Sequence, residues 1–165
     1  MSPIAIRPLD HADIPTWLSL IEALADYEGL PRPDAEARSR LEREAVAMPP
    51  RFQVLLAERD GHVAGYAVYF ETYSTFLARP TLYLEDLFVH ALDRRHGVGR
   101  ALMLELAREA QRLGCGRMEW QVLAWNAPAV DFYRRFGGRH LDDWQQYRLT
   151  ADDLGLLASE AAGTR

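Results

Sequence analysis

The sequence predicts an α/β protein with a mixed, mostly antiparallel sheet and helices on both faces. Three observations lead there. Short alternating apolar runs occur first as consecutive hairpin strands. Longer apolar runs at i, i+4 spacing then fall between strands, as in β-α-β units. Gly and Pro turn signals separate the segments at short intervals, with no repeat, low-complexity tract or linker between them. The chain has 165 residues, 48% hydrophobic and 26% charged. That length predicts one domain over residues 1–165, with 150–165 as a tail, and a core needing no staple.

The elements follow in order. Ile4 and Ile6 alternate with Ala5 and Arg7 in a first strand that Pro8 stops. Asp13 followed by Pro15 starts a helix whose apolar face is Leu18, Ile21, Leu24 and Ala25, broken by Gly29, Pro31 and Pro33. A charged surface helix is expected from Asp34 to Ala47, ended by Pro49 and Pro50. From Phe52 the period becomes 2, and Asp60-Gly61 marks a tight hairpin between Phe52–Glu58 and His62–Thr72. After a break at Arg79-Pro80, Thr81–Val89 is a strand. Val98, Leu102, Leu106, Ala110 and Leu113 give the helix Gly97–Leu113, ended by Gly114. Arg117–Leu123 is the next strand. Asn126 caps a helix with Pro128 inside its start, running to Phe136 and ended by Gly137-Gly138. Arg139–Leu149 is expected as a last strand, and the tail as one frayed helix. The predicted order is β-α-α-β-β-β-α-β-α-β, and ligands of such sheets bind beyond the carboxyl ends of the strands.

Composition excludes several classes. With 24 acidic residues against 19 basic ones, the net charge is -5, which argues against a nonspecific nucleic-acid binder. No apolar run reaches the ~20 residues of a membrane span, and the N-terminus has no secretory pattern. One cysteine, Cys115, and five scattered histidines predict no internal disulfide and no metal site. The expected setting is soluble, reduced and cytoplasmic, with no nucleic-acid or membrane partner. All 19 basic residues are Arg, a bias of composition that leaves no side-chain amine to acylate.

The strongest motif is the stretch from Leu87 to Ala101: a strand, a short turn, a basic glycine-containing loop and a helix start. A helix N-terminus has unpaired N–H groups and the positive end of a dipole. Gly97 and Gly99 allow a phosphate to approach the backbone, and Arg94, Arg95 and Arg100 add charge. The motif fits a pyrophosphate, although a glycine-rich helix start without a ligand fits the hexad too. The chain has no Lys, so it has no Walker A loop. A Rossmann fingerprint fails because Leu102 stands at the third glycine.

The pattern Arg94-x-x-Gly97-x-Gly99 resembles the acetyl-coenzyme A motif of the GNAT acyltransferase superfamily. The segments 70–76, 82–89, Trp125-Asn126 and 131–137, with Ile6-Arg7-Pro8 and Tyr27-Glu28, are similar to its spermidine/spermine acetyltransferase branch, from about Ile4 to Leu149. Polyamine-acetylating members commonly carry an acid where Ser74 stands and Trp where Phe76 stands. Ser74-Thr75 is similar instead to the branch acting on thialysine and related short amines. The resemblance implies a GNAT fold, acetyl-coenzyme A as co-substrate, no metal, a small amine acceptor and a homodimer with sites near the subunit interface.

It also implies roles. Leu87, Phe88, Val89, Arg94, Arg95, His96, Gly97, Val98, Gly99, Arg100, Asn126 and Tyr133 are expected to bind the coenzyme, with a backbone N–H near Val89 serving the oxyanion. An alkylammonium has a pKa of ~10.4, so the site must remove a proton before attack. Glu85 is the expected base, through water, and Asp86 an ammonium-binding carboxylate; on the residues alone the two read equally as solvated strand-edge acids on opposite faces. Tyr133 is expected to protonate the leaving thiolate, against the alternative of a core tyrosine. Tyr27, Glu28, Ser74, Phe76, Trp125 and Trp144, with Asp142 and Asp143, are expected to form an acidic, aromatic acceptor site, although each fits ordinary packing or surface as well. Cys115 reads as structural. Acetylation of a protein or antibiotic amine, and a non-catalytic coenzyme A binding module, are the alternative functions.

Overall fold

The computed structural model describes residues 3–163, in two compact units, 1–121 and 122–165. The first holds a five-stranded sheet in the order β1 (Ile4–Pro8), β2 (Gln53–Arg59), β3 (His62–Ser74), β4 (Arg79–Val89) and β5 (Arg117–Trp120). Strands β1 to β4 are antiparallel neighbours, and β5 lies parallel to β4 at the edge. The mixed, mostly antiparallel α/β sheet is therefore as predicted.

Helix α1 (Ile14–Glu28) buries Ile14, Trp17, Leu18 and Leu20 against Val54, Leu56, Tyr66, Val68 and Phe88. Gly29 ends it at φ 70°, a left-handed conformation that favours glycine. Helix α2 (Ala35–Ala45) has no buried residue, as its thin apolar face predicts, and the Asp34 carboxylate caps its start. Helix α3 (Val98–Arg112) buries Val98, Leu102, Met103, Leu106 and Ala110. The intervening sheet residues Leu55, Ala57, Ala67 and Tyr69 are also buried, and the Tyr69 hydroxyl lies 3.4 Å from Glu109 on α3. Alternate residues of β2 and β3 thus face α1 and α3, which cover opposite sides of the sheet.

Three strand expectations are corrected. Arg79-Pro80 does not interrupt the chain: both residues belong to β4, where Pro80 pairs with Tyr73 near the strand start. A missing N–H is tolerated at that position. The predicted last strand, Arg139–Leu149, is not formed, and β5 ends at Trp120 rather than Leu123. Among the described residues no strand pairs with 139–149, and a segment without a partner makes no ladder. The second unit contains α4 (Ala127–Arg134), shorter than predicted, and α5 (Ala151–Gly163) in the tail.

Candidate active site

The site begins with a fault in the β3–β4 ladder. Val68 pairs with Asp86 but Tyr69 pairs with Leu84, so Glu85 is an extra residue on β4, a β-bulge. The bulge reverses the alternation. Leu84 shares the α3 face with Tyr69, whereas Asp86 and Phe88 share the α1 face with Val68 and Tyr66. An unbroken strand would put Leu84 and Asp86 on one face. The expected opposite orientation of Glu85 and Asp86 is thereby replaced by a bulge in which Glu85 is exposed and Asp86 turns toward α1.

Burial then sets the electrostatics. It pushes the Asp86 carboxyl up to about 6, and the charges of Glu85 and Glu28 push the same way. The Tyr66 hydroxyl, 3.5 Å from Asp86 Oδ2, opposes them. Glu28, the last residue of α1, is also raised by burial. Tyr66 is fully buried, and that burial lifts its phenol far above the usual value. Three carboxylates, those of Glu28, Glu85 and Asp86, therefore gather near the end of β4. Raised carboxyls in such a cluster are a feature that proton-transfer sites share with structural ion networks. Tyr66 escaped the sequence reading because only the bulge aligns it with Asp86.

Beyond Val89 the backbone makes a 3-10 turn at Ala91–Asp93, then takes left-handed φ at Arg95 (67°) and Gly97 (90°) before α3. No side chain caps α3, so the first-turn N–H groups of Val98, Gly99 and Arg100 have no helical acceptor. Arg95 and Arg100 make no ion pair among the described residues. Unpaired amides and free guanidiniums fit the diphosphate of a coenzyme A. Arg94 behaves differently. Its Nε donates to the Val89 carbonyl at 3.0 Å, and its guanidinium lies 4.7 Å from the Tyr27 ring centroid and 5.7 Å from that of Phe88. It joins the loop to the end of α1 rather than facing outward with its neighbours.

The remaining predicted acceptor residues are dispersed. Ser74 is buried, and its hydroxyl accepts the Leu77 N–H in the β3–β4 turn. Phe76 is 98% exposed at that turn's tip. In the second unit Asn126 caps α4 by accepting the Ala129 N–H at 3.3 Å, as its helix-cap reading requires. Tyr133, on α4, packs edge-on against Phe132. Trp125 and Trp144 are exposed, and Asp142 contacts His140. Two open grooves flank α2, one including Pro15 and Arg43 and the other Pro33 and Phe52; neither includes a residue of β4 or the loop. Burial raises the Cys115 thiol, as for an unreactive cysteine. Among the described residues no cluster of His, Cys, Asp and Glu could hold a metal ion.

The sequence matches the acetyltransferase (GNAT) family over residues 17–138. It is 30% identical to a thialysine N-epsilon-acetyltransferase of Sus scrofa, over 97% of this chain and 100% of that protein. A segment covering 58% of the chain is 41% identical to an L-ornithine N5-acetyltransferase of Arabidopsis thaliana, and spans only 42% of that relative. In fold the chain resembles an aminoglycoside N-acetyltransferase solved with coenzyme A, at a TM-score of 0.74 and 22% identity over 92% of this chain and 97% of that one.

Proposed function

The chain belongs to the GNAT acetyltransferase family, and on that premise we propose that it transfers an acetyl group from acetyl-coenzyme A to a small primary amine. Thialysine-like amino acids, diamines and polyamines are the acceptor classes. The observation that carries this reading is the half-buried Asp86 carboxyl, 3.5 Å from the Tyr66 hydroxyl and raised to about 6 beside Glu85 and Glu28. Anionic charge at that place attracts an alkylammonium, and a carboxylate with a raised pKa accepts its proton less unfavourably than an ordinary one.

The uncapped start of α3, with Arg95, His96 and Arg100, binds the diphosphate, while Leu87 to Val89 run beside the pantetheine arm and Asn126 meets its amide. The bound coenzyme supplies an acetyl thioester. Asp86 takes the ammonium proton, directly or through water, and the exposed Glu85 holds the incoming cation. This exchanges the roles that the family resemblance gives the two acids, on the ground that Asp86 is half-buried with its carboxyl raised to about 6, whereas Glu85 is exposed. The freed amine attacks the thioester carbonyl, a backbone N–H near Val89 stabilises the oxyanion, and the Tyr133 phenol donates a proton to the departing thiolate. Tyr27, whose ring already carries the Arg94 guanidinium, borders the acidic end of β4, and Trp125 and Trp144 are the exposed aromatic side chains proposed for the acceptor.

A homodimer is part of the same reading. In the second unit Leu141, Trp144, Tyr147, Leu149, Leu154, Leu156 and Leu157 are all more than half exposed. A second copy would cover them and give residues 139–149 a strand partner, which light scattering tests directly. No helix among the described residues is long and apolar enough to cross a membrane, and a reduced cytoplasmic setting suits the single thiol.

The decisive experiment incubates acetyl-coenzyme A with a panel of thialysine, ornithine, diamines, polyamines, an aminoglycoside and an amine-bearing peptide while free thiol is followed. Release with the short amines supports the reading. Release confined to the aminoglycoside or the peptide moves the acceptor class. Coenzyme A binding with no release from any amine makes the protein a binding module instead.

A further inference from the structure

Outside the carboxylates of β4, one buried charge cluster is left without a role. Asp93 is 4% exposed and closes the turn that leads into the coenzyme loop. Its Oδ1 accepts Arg59 Nη1 at 3.0 Å and its Oδ2 lies 3.1 Å from His62 Nε2. Arg59 and His62 are direct partners across the β2–β3 hairpin, so both contacts come from one rigid turn. Two residues beyond Asp93 the backbone takes the left-handed conformation at Arg95, then again at Gly97, which rests near Ile4 of β1. A buried carboxylate is stable only when paired, and here its partners belong to a hairpin remote in sequence.

We propose that Asp93 is the positioning residue of the coenzyme loop, and that the Arg59–His62 hairpin, by clamping it, sets the affinity for the coenzyme diphosphate. This rests on the coenzyme-binding role given to residues 94–100 above. A loop whose amides converge on a diphosphate before it arrives loses less freedom on binding, so a looser clamp weakens binding and leaves the chemical step alone.

The clamp has a pH dependence of known sign. Asp93 raises the pKa of His62, so the imidazolium is favoured in the folded protein. Its extra attraction is fully present below the usual histidine value, about 6.5, and is lost as pH rises through the raised one. The charged groups facing the pair are Arg59, Asp60 (3.1 Å from Arg59) and His90 (4.0 Å from Asp93). His62 is half exposed, so a change of about 3- to 5-fold in affinity is the expected scale.

The test is coenzyme A binding by calorimetry, with acetyl-coenzyme A kinetics, from pH 6 to 9 for the wild type, His62→Arg, His62→Gln and Asp93→Asn. The ratio of wild-type to His62→Arg Kd cancels titration of the coenzyme itself. It should be near 1 at pH 6 and rise to about 3–5 at pH 9. His62→Gln should raise the coenzyme Kd and KM by a similar factor at pH 6.5, with kcat and the amine KM within about twofold. Asp93→Asn should lose more; if it does not fold, the two His62 variants decide. A flat ratio, or unchanged coenzyme affinity in His62→Gln, overturns the clamp alone. A wild type that binds no coenzyme A overturns the clamp and the functional reading together.

Discussion

The phenol oxygen of Tyr66 lies 3.5 Å from a carboxylate oxygen of Asp86, across the only part of the β3–β4 ladder where the register shifts. Both groups hold their protons more tightly than they would in water, because the same burial penalises both anions. A carboxyl titrating near neutrality is costly to the fold and useful to a proton transfer, and the two effects separate experimentally.

The first expected outcome concerns stability. The folded Asp86 pKa of about 6 exceeds its unfolded value, so folding binds the proton more tightly. Below pH ~4 both states are protonated and there is no penalty; between ~4 and ~6 the unfolded chain ionises first and stability falls. Asp86→Asn should therefore match the wild type near pH 4 and exceed it at pH 7.5 by on the order of 2 kcal/mol, read as a Tm gain of ~5 °C. Equal Tm values at pH 7.5 would show that Asp86 carries no such strain. Acetyl transfer should fall sharply in the same variant.

The second concerns the pH profile. The Tyr66 hydroxyl lowers the Asp86 pKa against the forces that raise it. Tyr66→Phe should move the acid limb of the kcat/KM profile to higher pH by about half a unit or more, since a hydrogen bond to the anion is lost. An acid limb that stays in place in this variant would separate it from Asp86.

The third tests the close approach that precedes the bulge. A Cβ built on Gly65 would lie 2.5 Å from the Phe88 carbonyl oxygen and 3.2 Å from Val89 Cα, both backbone atoms. Gly65→Ala must push β4 away from β3 where Phe88 and Val89 approach the coenzyme loop. A loss of about 2 kcal/mol or more in denaturant unfolding is expected, with weaker coenzyme A binding. Wild-type stability would mean the strands part without cost.

The fourth concerns Tyr133. Tyr133→Phe keeps the edge-on packing with Phe132 and removes the proton donor. Turnover should fall by about 10²-fold or more with coenzyme A affinity within twofold. Unchanged turnover would return Tyr133 to the role of a packing tyrosine.

Much of this was legible in the sequence, for reasons that differ by element. Helix α3 was readable because Val98, Leu102, Leu106 and Ala110 recur every four residues, Leu113 follows three later on the same face, and Gly114 stops them. The β2–β3 hairpin was readable from Asp60-Gly61, both of which take positive φ. The loop from Arg94 to Gly99 was readable because Gly97 stands just before the helix and Gly99 in its first turn. Three features were not. The bulge at Glu85 leaves no signature in composition, so neither the Tyr66 contact nor the orientation of Asp86 could be anticipated. Asp93 meets Arg59 and His62, which stand 34 and 31 residues before it in the chain, only through tertiary pairing. The final strand, expected over Arg139–Leu149, has no pairing neighbour among the described residues, and a ladder needs one.

The extra residue in β4 also divides that strand into two segments that can change independently. Leucines at 82 and 84 answer to the helix on one side, and Asp86 with Phe88 to the helix on the other. A swap among aliphatic side chains before the fault alters only oily contacts beneath α3, leaving the acidic end untouched. Removing Glu85 altogether would close the ladder with Leu84 and Asp86 as consecutive residues, so each would keep its present face and partner, and only the exposed carboxylate and the local bend would be lost.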